Sequence, residues 1–335
     1  MLSADDVLAK AMKVADEAEV YCSREKDTPV GFESNRLKHI ESHEFSGIAL
    51  RIHKNGKTGF SSTSNTNDID GLIERTLETV EFGSAADWEF PNKNHYDPVD
   101  VYDPSVENIS IDEMANMGQE LIDEMGKESS EIIWDVSINK STSLVEVMNS
   151  HGCSMEYQKS GYSMWAEGTL VKEDDMLFVW DGKSQCDKFT DSSSITGSLK
   201  EQLRLSSELA EAPEGDVPVI FTPRGVAGVL LGSLLTGLNG KTIVEGSSRL
   251  SGKIGEQVLH KDFSIEDNPR LPMVSGSRMA DDEGIPTKRL NLITNGVVEN
   301  FLFDLSSAYK AKTKTTGSAS RSIASRSNIC SALSA

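Results

Sequence analysis

Two of the three Asn-Gly pairs, one near each end of the chain, constrain the fold more than any other feature of the sequence. Asn55-Gly56 lies inside Gly47 to Ser64, and Asn295-Gly296 lies inside Thr287 to Phe303. Both runs are rich in the residue types that favour strands. Asn-Gly is a preferred pair for two-residue hairpin turns, because both turn positions need a positive φ. The sequence therefore predicts an antiparallel hairpin at each end of the chain.

The segments between and around these hairpins carry helix signals. Apolar residues recur at helical spacing, and Asn67 or Asp68 and Ser110 stand at positions typical of N-caps. The predicted helices are Ala4 to Ala18, Asn67 to Phe82, Ser110 to about Met125, Ser194 to Leu209 and Pro223 to Leu238. Helices interspersed among hairpins favour an α+β fold.

Further strands are predicted from β-rich runs separated by polar turns. Glu19 to Ser23 is expected to be a short strand, and Glu131 to Gln185 an antiparallel meander. Val217 to Phe221 is expected to be a buried strand, because it is a short apolar run followed by a Pro.

Two connectors rich in Pro and acidic residues suggest the domain organisation. His95 to Pro104 and Ala212 to Pro218 have the composition of linkers. The predicted units are an N-terminal α/β domain (1–104), a middle antiparallel β domain with helices (105–212) and a C-terminal mixed-sheet domain (213–335).

Charge and hydropathy exclude several functional classes. The formal net charge is −20, from 53 acidic and 33 basic residues. Nucleic acids and anionic membranes are bound through clustered Lys and Arg, so neither is expected as a partner. The longest apolar stretch, Val226 to Leu238, is too short to span a membrane, and the N-terminus lacks a signal-peptide core. These features predict a cytoplasmic protein.

No residue pattern predicts a metal site. His39 and His43 are four residues apart, but this stretch is predicted to be strand, which would hold their rings too far apart to share a metal ion. They are expected to be surface histidines, as are His53, His95, His151 and His260. The four cysteines, Cys22, Cys153, Cys186 and Cys330, form no Cys-x-x-Cys pair and are expected to be free thiols.

Other catalytic motifs are also missing or weak. There is no Gly-x-Ser-x-Gly sequence, and Gly240-Lys241-Thr242 lacks the spacing of a phosphate loop, so Gly240 is interpreted as a helix C-cap. The acidic run Asp281-Asp282-Glu283, before Gly284 and Pro286, is expected to be an exposed turn. Acid–base chemistry or cation binding at this turn stays open as an alternative.

Several segments together resemble the TldD/PmbA family, and they appear in that family's order. The matching segments are Gly47 to Glu81, Phe221 to Leu231, Leu250 to Glu256, Asp281 to Thr287, Asn295 to Asp304 and Thr316 to Ala319. The catalytic TldD branch of the family carries His-Glu-x-x-x-His on the helix after the strand, and a late Cys completes its zinc site. The resemblance implies that Gly232 and Gly237 occupy the two histidine positions and Ser233 the glutamate position.

The absence of the zinc motif implies the PmbA/TldE-like branch of the family, which has no zinc site of its own. Glycine offers no metal ligand, and Ser233 cannot replace a carboxylate as general base. No catalytic, metal-binding or cofactor-binding residue is therefore expected in this chain. The implied role is a non-catalytic subunit of a TldD–TldE-type zinc metallopeptidase, with the zinc in a TldD-like partner and unfolded or flexible peptides as substrates.

Two alternatives remain beside the heterodimer. One is a stand-alone peptide-binding homodimer without peptidase activity, and the other is a hydrolase that uses the Asp281 to Glu283 turn. The family pattern also continues with further strands after Thr316 to Ala319, whereas Ser322 to Ala335 does not match it. A truncated or frame-shifted C-terminal domain is therefore expected.

Overall fold

The computed structural model describes residues 3–172, 175–207, 210–321 and 330–331. Its helices are α1 (Ala4–Ala11), α2 (Ile69–Val80), α3 (Ile111–Met125), α4 (Ser193–Leu205), α5 (Pro223–Gly225), α6 (Gly232–Leu238), α7 (Gly240–Val244) and α8 (Leu305–Lys310). A π-helical segment, Val226–Leu231, joins α5 to α6. The strands are β1 (Glu17–Glu33), β2 (Arg36–Ile40), β3 (His43–Lys54), β4 (Lys57–Thr63), β5 (Ile133–Asn149), β6 (Ser154–Lys172), β7 (Asp175–Gln185), β8 (Ile265–Asp267), β9 (Leu290–Thr294), β10 (Val297–Val298), β11 (Ala319–Ser320) and β12 (Cys330–Ser331).

A seven-stranded antiparallel sheet forms the centre of the molecule. Its strand order is β4-β3-β1-β5-β6-β7, and β2 pairs with β1 beside this path. Strand β1 pairs with β3 on one side and with β5 on the other. The α+β fold class and the antiparallel meander over β5, β6 and β7 are confirmed. The sheet includes strands from both sides of the 104/105 boundary, and the three-domain division stays a prediction.

Both hairpin turns predicted from Asn-Gly are confirmed. Asn55 and Gly56 connect β3 to β4 with φ values of 51° and 72°. Asn295 and Gly296 connect β9 to β10 with φ values of 50° and 80°. All four residues adopt the left-handed conformation that Asn and Gly tolerate best.

Two apolar clusters cover different parts of the large sheet. Helices α1 and α2 bury Val7 and Leu72 with Leu50 of β3. Helices α3 and α4 bury Leu121 and Leu199 in a second cluster, which includes Trp134 of β5 and Met164 of β6. Fully burying one such side chain contributes about 1.5–3 kcal/mol, so these helices are held mainly by the sheet they cover.

The C-terminal part has its own small core. Strands β10, β9 and β8 form a three-stranded antiparallel sheet, and a single parallel bridge joins Asn239 to Leu302. Leu238, Leu292 and Phe301 are buried together there. Among the described residues, no helix combines the length and the apolar character needed to cross a membrane.

Three element boundaries differ from the sequence-based expectation. Helix α1 ends at Ala11 rather than Ala18, because Ala18 already pairs with Ile52 in the sheet. The predicted short strand Glu19 to Ser23 is the start of the 17-residue β1. Helix α4 ends at Leu205, while residues 208 and 209 of the predicted helix lie outside the described residues.

The prediction of a buried strand at Val217 to Phe221 is wrong. This segment has no regular structure, and the side chains of Val219 and Ile220 are 67% and 94% exposed. An isolated strand is unstable without a pairing partner, and none of the described strands pairs with this segment.

The interpretation of Gly240 as a C-cap is also wrong. Gly240 opens α7, and a Cβ there would come within 2.5 Å of Phe303 Cδ1 and 2.6 Å of the Leu302 carbonyl oxygen. The glycine is needed for close packing against this segment. The expectation of a truncated C-terminal domain concerned residues 322–335, of which the structure describes only the backbone of Cys330–Ser331.

Candidate functional site

The helix that would carry a zinc motif lies at the surface. Thr222 caps its start by accepting a hydrogen bond from Gly225 N–H, and the helical path continues to Leu238. Gly232 and Ser233 of α6 are exposed, and Gly237 is partly buried. A Cβ at Gly232 would meet no atom within 4 Å, so packing does not require glycine at that position.

These residues do not fit a zinc ion. Gly232 and Gly237 have no side-chain donor atom, and neutral Ser233 lacks the carboxylate that would act as general base. In the described part of the chain, no three His, Cys, Asp or Glu side chains come together in a way that could hold a metal ion.

The acidic turn, by contrast, lies in the interior, so the prediction of an exposed turn is wrong. Asp281, Asp282 and Glu283 are 0%, 6% and 0% exposed. Gly284 closes the turn with a φ of 73°, and a Cβ on it would lie 2.5 Å from Cys153 Sγ. A buried charge is stable only when it is paired or hydrogen-bonded, and each of the three carboxylates has such partners.

Asp281 and Asp282 both bind the segment at β11, and each has a second contact near the turn. Asp281 accepts hydrogen bonds from the N–H groups of Glu283 and Ile285 in its own turn, and from Ala319 N–H in β11. Asp282 accepts from the Arg278 guanidinium at 3.3 Å and from Arg321 N–H at 2.6 Å.

Glu283 makes the longest-range connection of the three. Its carboxylate accepts from Arg51 Nη1 of β3 at 2.8 Å and from Leu305 N–H at the start of α8, also at 2.8 Å. Arg51 also pairs with Glu19 of β1 at 2.9 Å, and Glu19 in turn pairs with Arg321. This carboxylate–guanidinium network joins the large sheet to the C-terminal part of the chain.

Aromatic rings hold the central Arg51. Its guanidinium carbon lies 4.5 Å from the centre of the Trp88 ring and 5.1 Å from that of Phe90. Such cation–π contacts stabilise a desolvated guanidinium, and the two carboxylates compensate its charge. The position of Arg51 is therefore fixed from several directions.

Burial shifts the pKa values in this network. It raises the pKa of Asp281 to about 7, and the neighbouring Glu283 adds to the shift. It also raises the pKa of Glu283, against the opposing effect of Arg51, and lowers the pKa of Arg321 to about 9. Asp281 therefore titrates near neutral pH.

Two of the histidines share one carboxylate, and one of these two contradicts the prediction of a surface position. His53 is only 5% exposed, and its Nδ1 lies 3.0 Å from Glu17 Oε2, while His151 Nε2 lies 2.9 Å from the other Glu17 oxygen. Burial lowers the pKa of His53. His43 is exposed between Asp27 and Glu41, which raise its pKa.

The remaining histidines and the thiols form no site. His39, His95 and His260 are exposed, as predicted. Cys22, Cys153 and Cys186 are free, buried thiols, which confirms the prediction for these three; the side chain of Cys330 lies outside the described residues.

Family models match both ends of the chain. The model described as PmbA/TldA metallopeptidase domain 1 matches residues 18–80, and that of the PmbA/TldA metallopeptidase C-terminal domain matches residues 214–332. The second match includes residues 322–332, so the expectation that Ser322 to Ala335 does not match the family pattern is wrong for most of that segment. Together they cover more than half of the 335 residues. The chain belongs to the PmbA/TldD metallopeptidase family.

The proteins that are similar over nearly the whole chain include PmbA and TldE proteins. The metalloprotease PmbA homologue of Haemophilus influenzae is 25% identical over 335 residues, covering 92% of this chain and 70% of that protein. The TldE crystal structure from Thermococcus kodakarensis has a TM-score of 0.89 and 22% identity, covering 98% of this chain and 76% of that chain. The metalloprotease TldD homologue of H. influenzae is 36% identical over 111 residues, covering 33% of this chain and 23% of that protein. This chain is a PmbA/TldE-like family member.

Sequence reasoning missed the partners of the acidic turn in this family member. Arg51 is 232 residues from Glu283, and Glu19 is 302 residues from Arg321. The usable signal was Arg51 itself, a charged residue within the apolar run Gly47 to Ile52 of a predicted strand. A buried cation at that position requires carboxylate partners.

Proposed function

We propose that this chain is a non-catalytic subunit that pairs with a TldD-like zinc peptidase chain to process flexible peptides. The observation that carries the proposal is the helix at Gly232 to Gly237, which supplies no metal ligand or general base. The resemblance to the family implies that this helix stands where the catalytic branch carries its zinc motif. Gly232 has open space around it, so the loss of a ligand there has no packing explanation. The similarity to PmbA and TldE proteins supports the same role.

The internal arrangement also supports a non-catalytic role. A hydrolase acting through the Asp281 to Glu283 turn would need a carboxylate that reaches its substrate. All three carboxylates are buried and already accept hydrogen bonds from the protein itself. The turn is therefore better suited to joining parts of the chain than to acid–base catalysis.

The test is reconstitution with a TldD-like chain that carries His-Glu-x-x-x-His. Each chain and the mixture are assayed for cleavage of an unfolded peptide, and their assembly is measured by light scattering after size exclusion. We expect a heteromeric complex with chelator-sensitive activity, and no activity for this chain alone. A partner with its first motif histidine changed to Ala is the control and should assemble without activity.

Two outcomes would contradict the proposal. Chelator-resistant turnover by this chain alone would support a hydrolase. A homodimer that binds peptide but does not assemble with the TldD-like chain would support the stand-alone alternative. Elemental analysis gives an independent check: we expect no stoichiometric zinc in this chain after dialysis, whereas one zinc per chain would refute the interpretation of Gly232 and Gly237.

A further inference from the structure

A cavity of about 330 Å³ lies where the N-terminal hairpin meets the C-terminal helices. Arg51 of β3 and Phe60 of β4 line one side, α7 and α8 line the other, and Trp88 contributes from the segment after α2. Ligand sites often occupy such junctions, and this volume is at the lower end of the range for small-molecule sites. The carboxylate–guanidinium network described above forms its inner wall through Arg51 and Glu283.

Some charged side chains in the cavity wall have partners within the protein, and others have no ion-pair partner among the described residues. Arg51 and Glu283 neutralise each other at 2.8 Å. Asp304 caps α8, where its Oδ1 accepts from Ser307 N–H at 2.7 Å and from Ser307 Oγ at 2.6 Å. These inner groups are occupied by protein contacts.

Three exposed charges in the wall remain free. Lys241, Glu245 and Lys310 are exposed, and within the described residues none of them has an ion-pair partner inside 4.0 Å. Two ammonium groups and one carboxylate can therefore receive a ligand that carries both signs of charge. A phosphate dianion fits less well, because it offers no cation to the exposed carboxylate of Glu245.

The rest of the wall suits a peptide. Phe60, Trp88 and Val244 provide an apolar surface for one side chain, while Ser84 and Ser306 offer hydroxyl groups to backbone amides. Thr58 also lines the cavity, and its buried Oγ1 makes no hydrogen bond to any described residue.

We propose that this cavity binds a free di- or tripeptide. Lys241 and Lys310 hold the terminal carboxylate, Glu245 holds the terminal ammonium, and an apolar side chain packs on Phe60 and Trp88. This inference rests on the proposed function, because short free peptides are the class of product that a peptidase complex releases. Under this proposal, the subunit that lacks the zinc motif binds either a released peptide product or one end of a peptide substrate.

The test is calorimetric titration of the purified full chain with the tripeptide Ala-Phe-Ala. We expect saturable binding that weakens by about tenfold or more when the carboxyl end is amidated, and further when the amino end is also acetylated. Lys241→Met and Lys310→Met should each weaken binding of the free tripeptide by a similar factor. Neither should change the residual affinity for the amidated form.

Lys314→Met is the matched control, because Lys314 is exposed, does not line the cavity and undergoes the same change of charge. It should leave the affinity unchanged, and Lys310→Arg should restore most of the affinity lost in Lys310→Met. Equal affinity for free and blocked peptides, or no effect of either cavity lysine, would overturn the proposal. Absence of any binding at millimolar tripeptide would do the same.

The two proposals fail separately. A chain that assembles with the TldD-like partner but does not bind Ala-Phe-Ala refutes only the cavity assignment. A chain that binds the tripeptide through the two lysines but does not assemble refutes only the subunit role.

Discussion

Replacing Arg51 with Met should destabilise the protein strongly, because it removes the cation at the centre of the network. Arg51, Glu19 and Glu283 have side-chain exposures of 7%, 0% and 1%. After the substitution Glu19 keeps Arg321, but Glu283 keeps only the N–H of Leu305. One carboxylate is thus left buried without a cation, and losing one partner of such a pair costs about 3–5 kcal/mol. Methionine retains part of the apolar contact with Trp88.

The size of this loss should depend on pH. Without Arg51 the pKa of Glu283, already raised by burial, rises further. The folded variant then holds a proton that the unfolded chain releases above about pH 4.3, so its stability falls as pH rises. The difference in unfolding free energy from the parent protein should therefore be larger at pH 8 than at pH 5.

Urea denaturation followed by fluorescence at both pH values measures the effect. Arg75→Met is the matched control, because Arg75 pairs with Asp68 at 3.3 Å and both side chains are 44% exposed. Its cost should stay below about 1 kcal/mol at either pH. A cost below about 1 kcal/mol for Arg51→Met at pH 8, or an equal cost at pH 5 and pH 8, would refute the reasoning.

Three further predictions follow from the same contacts. Because burial raises the folded-state pKa of Asp281 to about 7, the protein should lose stability as pH rises from about 4 to 7, and Asp281→Asn should flatten that decline in denaturation curves. Gly232→Ala should raise the unfolding free energy by about 0.5–1 kcal/mol, because the added Cβ meets open space. Gly240→Ala should lower the unfolding free energy, because the added Cβ clashes with Phe303. A stabilising Gly240→Ala together with a destabilising Gly232→Ala would contradict the packing described. In hydrogen exchange, amides of β1 and β5 should be protected more strongly than those of β9, which belongs to a small three-stranded sheet; equal protection would refute this ranking.

Local patterns predicted the elements well where the deciding interaction is local. The Asn55-Gly56 turn needs only two residues that tolerate positive φ, and the structure has it as expected. Val217 to Phe221 shows the opposite case, because an apolar run becomes a strand only if another strand pairs with it. Periodicity cannot indicate whether that partner exists.

The prediction that the acidic turn is exposed was wrong for a related reason. Three consecutive carboxylates before a Gly have the composition of a solvated turn. The nearest basic residues in sequence are Arg278, Lys288 and Arg289, and of these three described residues only Arg278 forms an ion pair with the turn. Arg51, the cation that pairs with Glu283, comes from β3, and Asp282 accepts a hydrogen bond from the backbone N–H of Arg321, beside β11. By contrast, the absence of ligand groups at Gly232 and Gly237 could be read directly, because it depends only on residue type.

The central position of β1 has a consequence for synthesis of the chain. Its first neighbour, β3, ends at Lys54, but its second neighbour, β5, begins only at Ile133. At about 5–20 residues per second, the ribosome needs roughly 5–20 s to make the roughly 100 residues between the end of β1 and the start of β5. During that interval the nascent N-terminal segment presents one open strand edge between Glu19 and Phe32. Until the middle of the chain has been translated, this edge is therefore the place where we expect a nascent chain to pair wrongly with another chain.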